Sequence, residues 1–141
     1  MLLPIIEKEI NKLLDAKIVI TLRFSNWVAN LVPVQKKNGE IRLYVDFRNL
    51  NRVSLKGNYP LPKMHQILQK VVCSERISTM DAFSGCNQIK VLPKDQEKSA
   101  FTTPWGTFMY SKMPFVLMNV GATFQRVTDI AFTEICGDLH G

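Results

Sequence analysis

The chain has 141 residues, 46% of them hydrophobic, enough for one domain with an apolar core and short for an enzyme of several lobes. Its net charge of +6 is spread over Lys36, Lys37, Arg42, Arg48, Arg52, Lys56, Lys63 and Lys70, which suits a polyanionic partner and equally an ordinary solvated surface. Three cysteines without CxxC spacing, Cys73, Cys86 and Cys136, exclude a disulfide framework or zinc knuckle, and no apolar run reaches the roughly 18 residues of a membrane span.

The N-terminus holds several acids and no cleavage pattern, so the expectation is a soluble, intracellular, reduced protein that is not secreted. Ile5, Ile6, Ile10, Leu13 and Leu14 recur at helical spacing, predicting an amphipathic helix over residues 4–16 with Pro4 in its first turn. Residues 18–23 read as extended. Ser25-Asn26-Trp27 reads as a loop with one aromatic anchor, a core side chain in preference to a ligand contact.

Two apolar runs, 29–34 and 41–45, flank Lys36-Lys37-Asn38-Gly39-Glu40, and Asn-Gly between such runs predicts a hairpin. Its basic tip, with Arg42 on the return strand, leaves two readings open: lysines that keep the hairpin soluble, or mobile cations that close over a phosphate chain. Residues 46–51 leave the strand in polar turn chemistry, with Asp46 bonding nearby backbone. Residues 53–62 form an irregular connector, broken by Gly57, Pro60 and Pro62.

Met64, Ile67, Leu68, Val71 and Val72 predict a helix whose apolar face rests on a sheet, with His65 solvated beside the stripe. In the stretch 76–91, a lone carboxylate, Asp81, ends one apolar run before a small-residue turn, which places an acid at the mouth of a sheet. Asp81 reads either as a hard oxygen ligand for Mg²⁺ or as a turn acid. Residues 91–98 form a loop or short helical turn, and 100–103 and 107–110 form a second hairpin through Pro104-Trp105-Gly106. After a loop over 113–121, residues 122–135 form a last helix with Phe124, Val127, Ala131 and Ile135 facing the core. Helices mixed with antiparallel hairpins make an α+β fold, and a chain that stops at Asp138-Leu-His-Gly141 without a helix stop leads us to expect more sequence beyond it.

Seven separated blocks lie in order: Ser25-Asn-Trp-Val, Val34-Gln-Lys-Lys-Asn-Gly, residues 41–51 beginning Ile41-Arg-Leu-Tyr-Val-Asp, Asn58-Tyr-Pro-Leu-Pro62, Ile77-Ser-Thr-Met-Asp81-Ala-Phe-Ser-Gly, Ala100-Phe-Thr-Thr-Pro-Trp-Gly106, and Met113-Pro-Phe through Gly121-Ala-Thr-Phe-Gln125. Together, and from about residue 5 to the end, they resemble the reverse transcriptase domain of Ty3/gypsy-class retrotransposons, part of a Pol polyprotein. The resemblance implies the fingers and N-terminal palm of a right-hand polymerase, with fingers at about 18–75 and 92–112 and palm elements at about 76–91 and 113–141.

That family joins nucleotides with two divalent ions, Mg²⁺ or Mn²⁺. By resemblance Asp81 is the catalytic carboxylate that bridges both ions, with the Ala82 carbonyl as a further ligand. Lys36, Lys37, Arg42 and Phe115 bind the incoming dNTP. Gln125 and Arg126 lie near an RNA or DNA template-primer. A cytoplasmic particle or the nucleus is the implied location.

Three departures qualify this. The family's Tyr-x-Asp-Asp hairpin, the source of two more carboxylates, should follow shortly after residue 135. Cys86 occupies the sugar-gate position, where an aromatic ring is usual, so discrimination against ribonucleotides should be weak. Val116 replaces a glycine, a poor exchange where backbone needs φ > 0, and Val120 stands at a usually small position. The expectation is a polymerase piece inactive by itself; the alternative is a non-catalytic nucleic-acid-binding remnant or the product of a decayed element.

Overall fold

The computed structural model describes residues 2–82 and 84–133. The first predicted helix, α1, runs Leu3–Asp15 with proline in its opening turn, and it buries Ile6 and Ile10. It ends in a paired C-cap: Lys17 N–H donates to the Leu14 carbonyl and Ile18 N–H to that of Leu13, each at 3.0 Å, with Lys17 in the left-handed region at φ 55°. The chain then turns directly into the sheet.

Five strands follow, β1 (Val19–Leu22), β2 (Ala29–Gln35), β3 (Ile41–Val45), β4 (Phe101–Thr103) and β5 (Gly106–Tyr110), in the spatial order β1-β5-β4-β2-β3. Both predicted hairpins form. In the first, Gln35 pairs with Ile41, Lys36 N–H reaches the Glu40 carbonyl at 2.7 Å and Gly39 N–H the Lys36 carbonyl at 3.0 Å. Gly39 takes φ 83°, so the loop is the three-residue kind that closes with a left-handed residue, which glycine adopts without strain. In the second, Thr103 pairs with Gly106, and Thr103 Oγ1 accepts the Trp105 N–H at 3.2 Å while donating to the Gly106 carbonyl at 2.9 Å. The hairpins meet side by side through a parallel seam, Ala29 beside Phe101 and Asn30 beside Thr102.

Alternation puts Phe108 and Tyr110 of β5 on the face they share with Phe101, Val19, Ala29 and Val45, and α1 lays Ile6 and Ile10 against them. Ring centroids stand 5.4 Å apart for Phe101 and Tyr110 and 5.9 Å for Phe101 and Phe108, while Phe47 meets Tyr110 edge-on at 6.1 Å. Burial pushes the Tyr110 phenol up to about 12. A short helix α4 (Pro93–Gln96) and a 3₁₀ turn (Glu97–Ser99) precede β4, as the polar composition of that stretch suggested. Ser99 is buried there; its hydroxyl donates to the Gln96 carbonyl at 2.6 Å and accepts the Tyr110 N–H at 2.9 Å.

Several expectations need correction. Residues 48–53 are a short helix, α2 (Arg48–Val53), where a polar turn was expected: the buried Phe47 anchors its start, and the Asp46 carboxylate accepts the Arg48 N–H at 3.2 Å and its guanidinium at 2.9 and 2.7 Å. Asp46 is therefore structural, as read. Trp27 is 40% exposed and not a core residue; the Ser25 hydroxyl, which takes the Trp27 N–H and donates to its carbonyl, shapes that loop instead.

The helix α3 (Met64–Val72) forms, and His65 is exposed beside it, but its stripe rests on no sheet: Met64, Ile67, Leu68 and Val72 are between 41% and 82% exposed. Residues 76–82, which were to supply the strand, find no ladder partner among the described residues and stay irregular. The last helix, α5 (Val120–Ala131), starts two residues early and buries Val120; Phe124 is half-buried, Val127 and Ala131 are exposed, and Ile135 lies outside the described residues. Among the described residues no helix is long and apolar enough to cross a membrane.

Two outcomes are expected. Ser99→Ala orphans the buried Tyr110 N–H and should lower unfolding free energy by about 1–3 kcal/mol in urea titrations. The Arg48 guanidinium holds Asp46 down to about 2, below its ordinary value. The stabilisation it gives is thus complete above about pH 4 and lost as pH falls through about 2, and urea midpoints between those limits should fall less steeply in Asp46→Asn.

Candidate nucleotide and nucleic-acid site

The first hairpin presents its cations unequally. Lys36 is half-buried and tied to Glu40, Nζ to Oε2 2.6 Å, and that bond, with one from Asn38, holds the Glu40 carboxyl below its ordinary range. Lys37 is exposed at the tip, and Arg42 projects from β3 opposite Val34; neither forms an ion pair among the described residues.

Between the hairpin and α1 lies a cleft of about 770 Å³ whose walls include Lys8 and Lys12 of α1, Lys36, Arg42 and Phe115. Lys12 is paired with Glu9 at 2.6 Å, which leaves Lys8 and Arg42 as the lining cations with no ion pair among the described residues. Phe115 is 77% exposed, an aromatic face set beside positive charge. A concave basic surface with one exposed ring can take a flexible polyanion that carries a planar or sugar-like body. Lys36, Arg42 and Phe115 line this one cleft, while Lys37 stands at the tip. Lys8 and Lys12 were overlooked; their spacing of four on a predicted helix was the available signal, since it places both on one face.

The Asp81 stretch differs from expectation. Asp81 is exposed and follows an irregular segment, so it does not stand at the mouth of a sheet; a strand cannot form without a neighbour to take its backbone bonds. The Ala82 carbonyl already accepts the Gly85 N–H at 3.2 Å, leaving it one lone pair. Ser84, at φ 50°, turns the chain into a 3₁₀ segment (Gly85–Gln88), where Cys86 is half-buried. Gly85 packs closely on α5: a Cβ there would sit 2.9 and 3.0 Å from ring carbons of Phe124, so a larger residue would have to displace that ring. Among the described residues no three His, Cys, Asp or Glu side chains could hold a metal ion together. One carboxylate and a half-committed carbonyl do not make a divalent-ion site.

On α5 the two predicted template contacts part company. The Gln125 amide donates to Asp129 Oδ1 at 2.8 Å, and the Tyr59 hydroxyl donates to Asp129 Oδ2, a bond that raises the Tyr59 phenol above its ordinary value. Gln125 is therefore engaged, whereas Arg126 is exposed beside Asn58, Tyr59 and Pro60.

The loop 111–119 is held by asparagines that the sequence did not single out. Asn51 donates to the Val116 carbonyl at 3.2 Å and accepts the Met118 N–H at 2.9 Å. Asn119 accepts the Gly57 N–H at 2.8 Å and donates to the Leu55 carbonyl at 2.7 Å. Val116 takes no positive φ, so its β-branch imposes no strain of that kind.

No family model matches the chain. It is 36% identical over 100 residues to the retrovirus-related Pol polyprotein from transposon 297 of Drosophila melanogaster, covering 71% of this chain and 9% of that protein. To the Pol polyprotein from transposon opus of the same organism it is 35% identical, over 95% of this chain and 14% of that one. To the transposon Tf2-3 polyprotein of Schizosaccharomyces pombe it is 34% identical, over 83% and 9%. The chain thus spans only 9% to 14% of the length of these relatives.

Among solved structures, the foamy viral protease-reverse transcriptase in complex with an RNA/DNA hybrid superposes with TM-score 0.78 at 20% identity, over 94% of this chain and 18% of that one. The same kind of protein in complex with dsDNA gives 0.69 at 23%, over 89% and 26%. These likenesses speak to fold, and the sequence matches to kinship. The order of blocks, the α+β architecture and relatives at 34% to 36% identity agree: the chain belongs to the Pol polyproteins of gypsy-class retrotransposons, as a part of their reverse transcriptase domain.

Proposed function

We propose that this chain supplies the fingers, about residues 18–75 and 92–112, and the first palm elements, about 76–91 and 113–141, of an RNA-directed DNA polymerase whose activity belongs to a longer protein. The observation that carries the reading is the cleft where Lys36, Arg42 and Phe115 converge from two distant segments beside Lys8 and Lys12. In it, Arg42 and Lys8 take the triphosphate of a dNTP, Lys36 is oriented by Glu40, Lys37 closes from the tip, and Phe115 meets the nucleoside. Arg126, with Gln125 behind it, faces an RNA or DNA template-primer. The small Cys86 leaves the sugar-gate position open.

Divalent ions, Mg²⁺ or Mn²⁺, supply the charge neutralisation that nucleotidyl transfer needs in the full polymerase. Asp81 and the Ala82 carbonyl are this chain's contribution. They are insufficient alone, because two divalent ions about 4 Å apart repel strongly and need several anionic oxygens to offset that repulsion. We assign no chemical step to these residues by themselves. Primer extension by the 141-residue chain with Mg²⁺ or Mn²⁺ should stay at background; incorporation above it would overturn this part of the reading.

A second reading, nucleic-acid binding without catalysis, is favoured by one observation: the basic cleft, whose exposed cations can meet phosphates without a metal ion. Electrophoretic shift over a salt series tests binding in both readings. Affinity should fall steeply as salt rises, and Arg42→Ala or Lys37→Ala should each reduce the slope of log affinity against log salt by about 1 if that side chain meets a phosphate. An unchanged slope in both variants would remove the hairpin from the interface.

A further inference from the structure

Phe115 is far more exposed than any packed side chain, so its own contacts cannot hold it at the cleft wall; its place is fixed by its backbone. That backbone lies in a loop with few bonds of its own. Met113 N–H reaches the Ile89 carbonyl at 2.8 Å, and the Leu117 N–H to Pro114 bond is long at 3.4 Å. Directly after Phe115 the loop is gripped by one side chain. Asn51 uses both ends of its amide, one on the Val116 carbonyl and one on the Met118 N–H, so that it straddles Leu117.

Asn51 is itself rigidly mounted. It sits on α2, whose first turn follows β3 after only Asp46 and Phe47; Phe47 is 1% exposed, and the Phe47 carbonyl accepts the Asn51 N–H at 2.8 Å. Arg42 is on β3. A continuous path of covalent chain and hydrogen bonds therefore runs from Arg42 on one side of the cleft, through β3, Phe47 and Asn51, to the residues next to Phe115 on the other. Asn119 makes an equally two-handed grip, but on Leu55 and Gly57 in the connector, and does not touch the residues beside Phe115.

We infer that Asn51 is a positioning residue that sets the distance between Arg42 and Phe115, and so fits the cleft to a nucleoside triphosphate in preference to a bare polyphosphate. The inference rests on the nucleotide reading of the cleft given above. It separates two ligand parts: phosphates held by cations on the hairpin and α1, which Asn51 does not reach, and the nucleoside, held by Phe115, which depends on it.

The test compares dTTP with inorganic tripolyphosphate as probes of the whole chain, their affinities read by ligand-observed NMR. The wild type should bind both. Asn51→Ala should weaken dTTP roughly 5- to 10-fold and tripolyphosphate less than about 2-fold. Asn119→Ala, a loss of two comparable hydrogen bonds at another place, should leave both affinities unchanged. Hydrogen exchange at the Met118 amide should speed up in Asn51→Ala and not in Asn119→Ala. Asn51→Asp keeps the acceptor for Met118 and loses the donor to Val116; it should fall between, and it carries the test should the alanine variant not fold. Equal proportional losses for both probes, or an unchanged dTTP affinity, would overturn the inference. A wild-type chain that takes up neither probe would overturn the nucleotide reading itself, and this inference with it.

Discussion

Two residue pairs, Ala29 beside Phe101 and Asn30 beside Thr102, join the two hairpins into one sheet, and the Ala29 N–H fixes the start of the seam on the Ala100 carbonyl at 2.8 Å. Each hairpin alone would be marginal in water, since two strands bury too little on one face. Set side by side, with β1 added along β5, they form a five-stranded surface on which α1 can bury its apolar stripe, and Phe101, at the seam, contacts both Phe108 and Tyr110. The cleft inherits its shape from this junction. Its cations ride on the first hairpin and on α1, whereas Phe115 hangs from the loop that leaves the second.

The charges around that cleft act more through placement than through stability. Lys36–Glu40 and Lys12–Glu9 are solvent-accessible pairs of the kind that contribute little to folding. What they do is restrain two lysines and largely offset Glu9 and Glu40, the two acids that also line the cleft, so that Lys8 and Arg42 carry the charge left over. A polyanion entering there meets a surface already biased in its favour, and the encounter depends on ionic strength because the charges are exposed.

The sheet and the first helix were legible in the sequence because their signals are local. Asn38-Gly39 demands a turn with a positive φ, Pro104-Trp105-Gly106 breaks two β-rich runs, and the isoleucines of α1 repeat at the helical period. Periodicity reports which face of an element is apolar and is silent on what covers it. That is why the α3 helix was found but its sheet was not, and why Trp27 was read as core. The Asp81 stretch was legible through family resemblance, yet its strand was misplaced because a ladder partner is a long-range property. Asn51 left no trace, since an asparagine in a polar run looks the same whether it faces water or two backbone groups sixty-odd residues away.

The sheet closes late along the chain. Among the described residues, 19–22 pair only with 107–110, so β1 waits for nearly all the intervening polypeptide before it has a partner. The two hairpins can zip locally, but the edge strand and the parallel seam require ends far apart in sequence to meet, and that search slows folding and prolongs exposure of unpaired edges. A chain emerging from the ribosome would hold α1 and β1 without their docking surface until β5 has cleared the exit tunnel. Folding of this unit is thus tied to synthesis of its second hairpin, and fragments cut before residue 107 should be prone to associate through the strands left open.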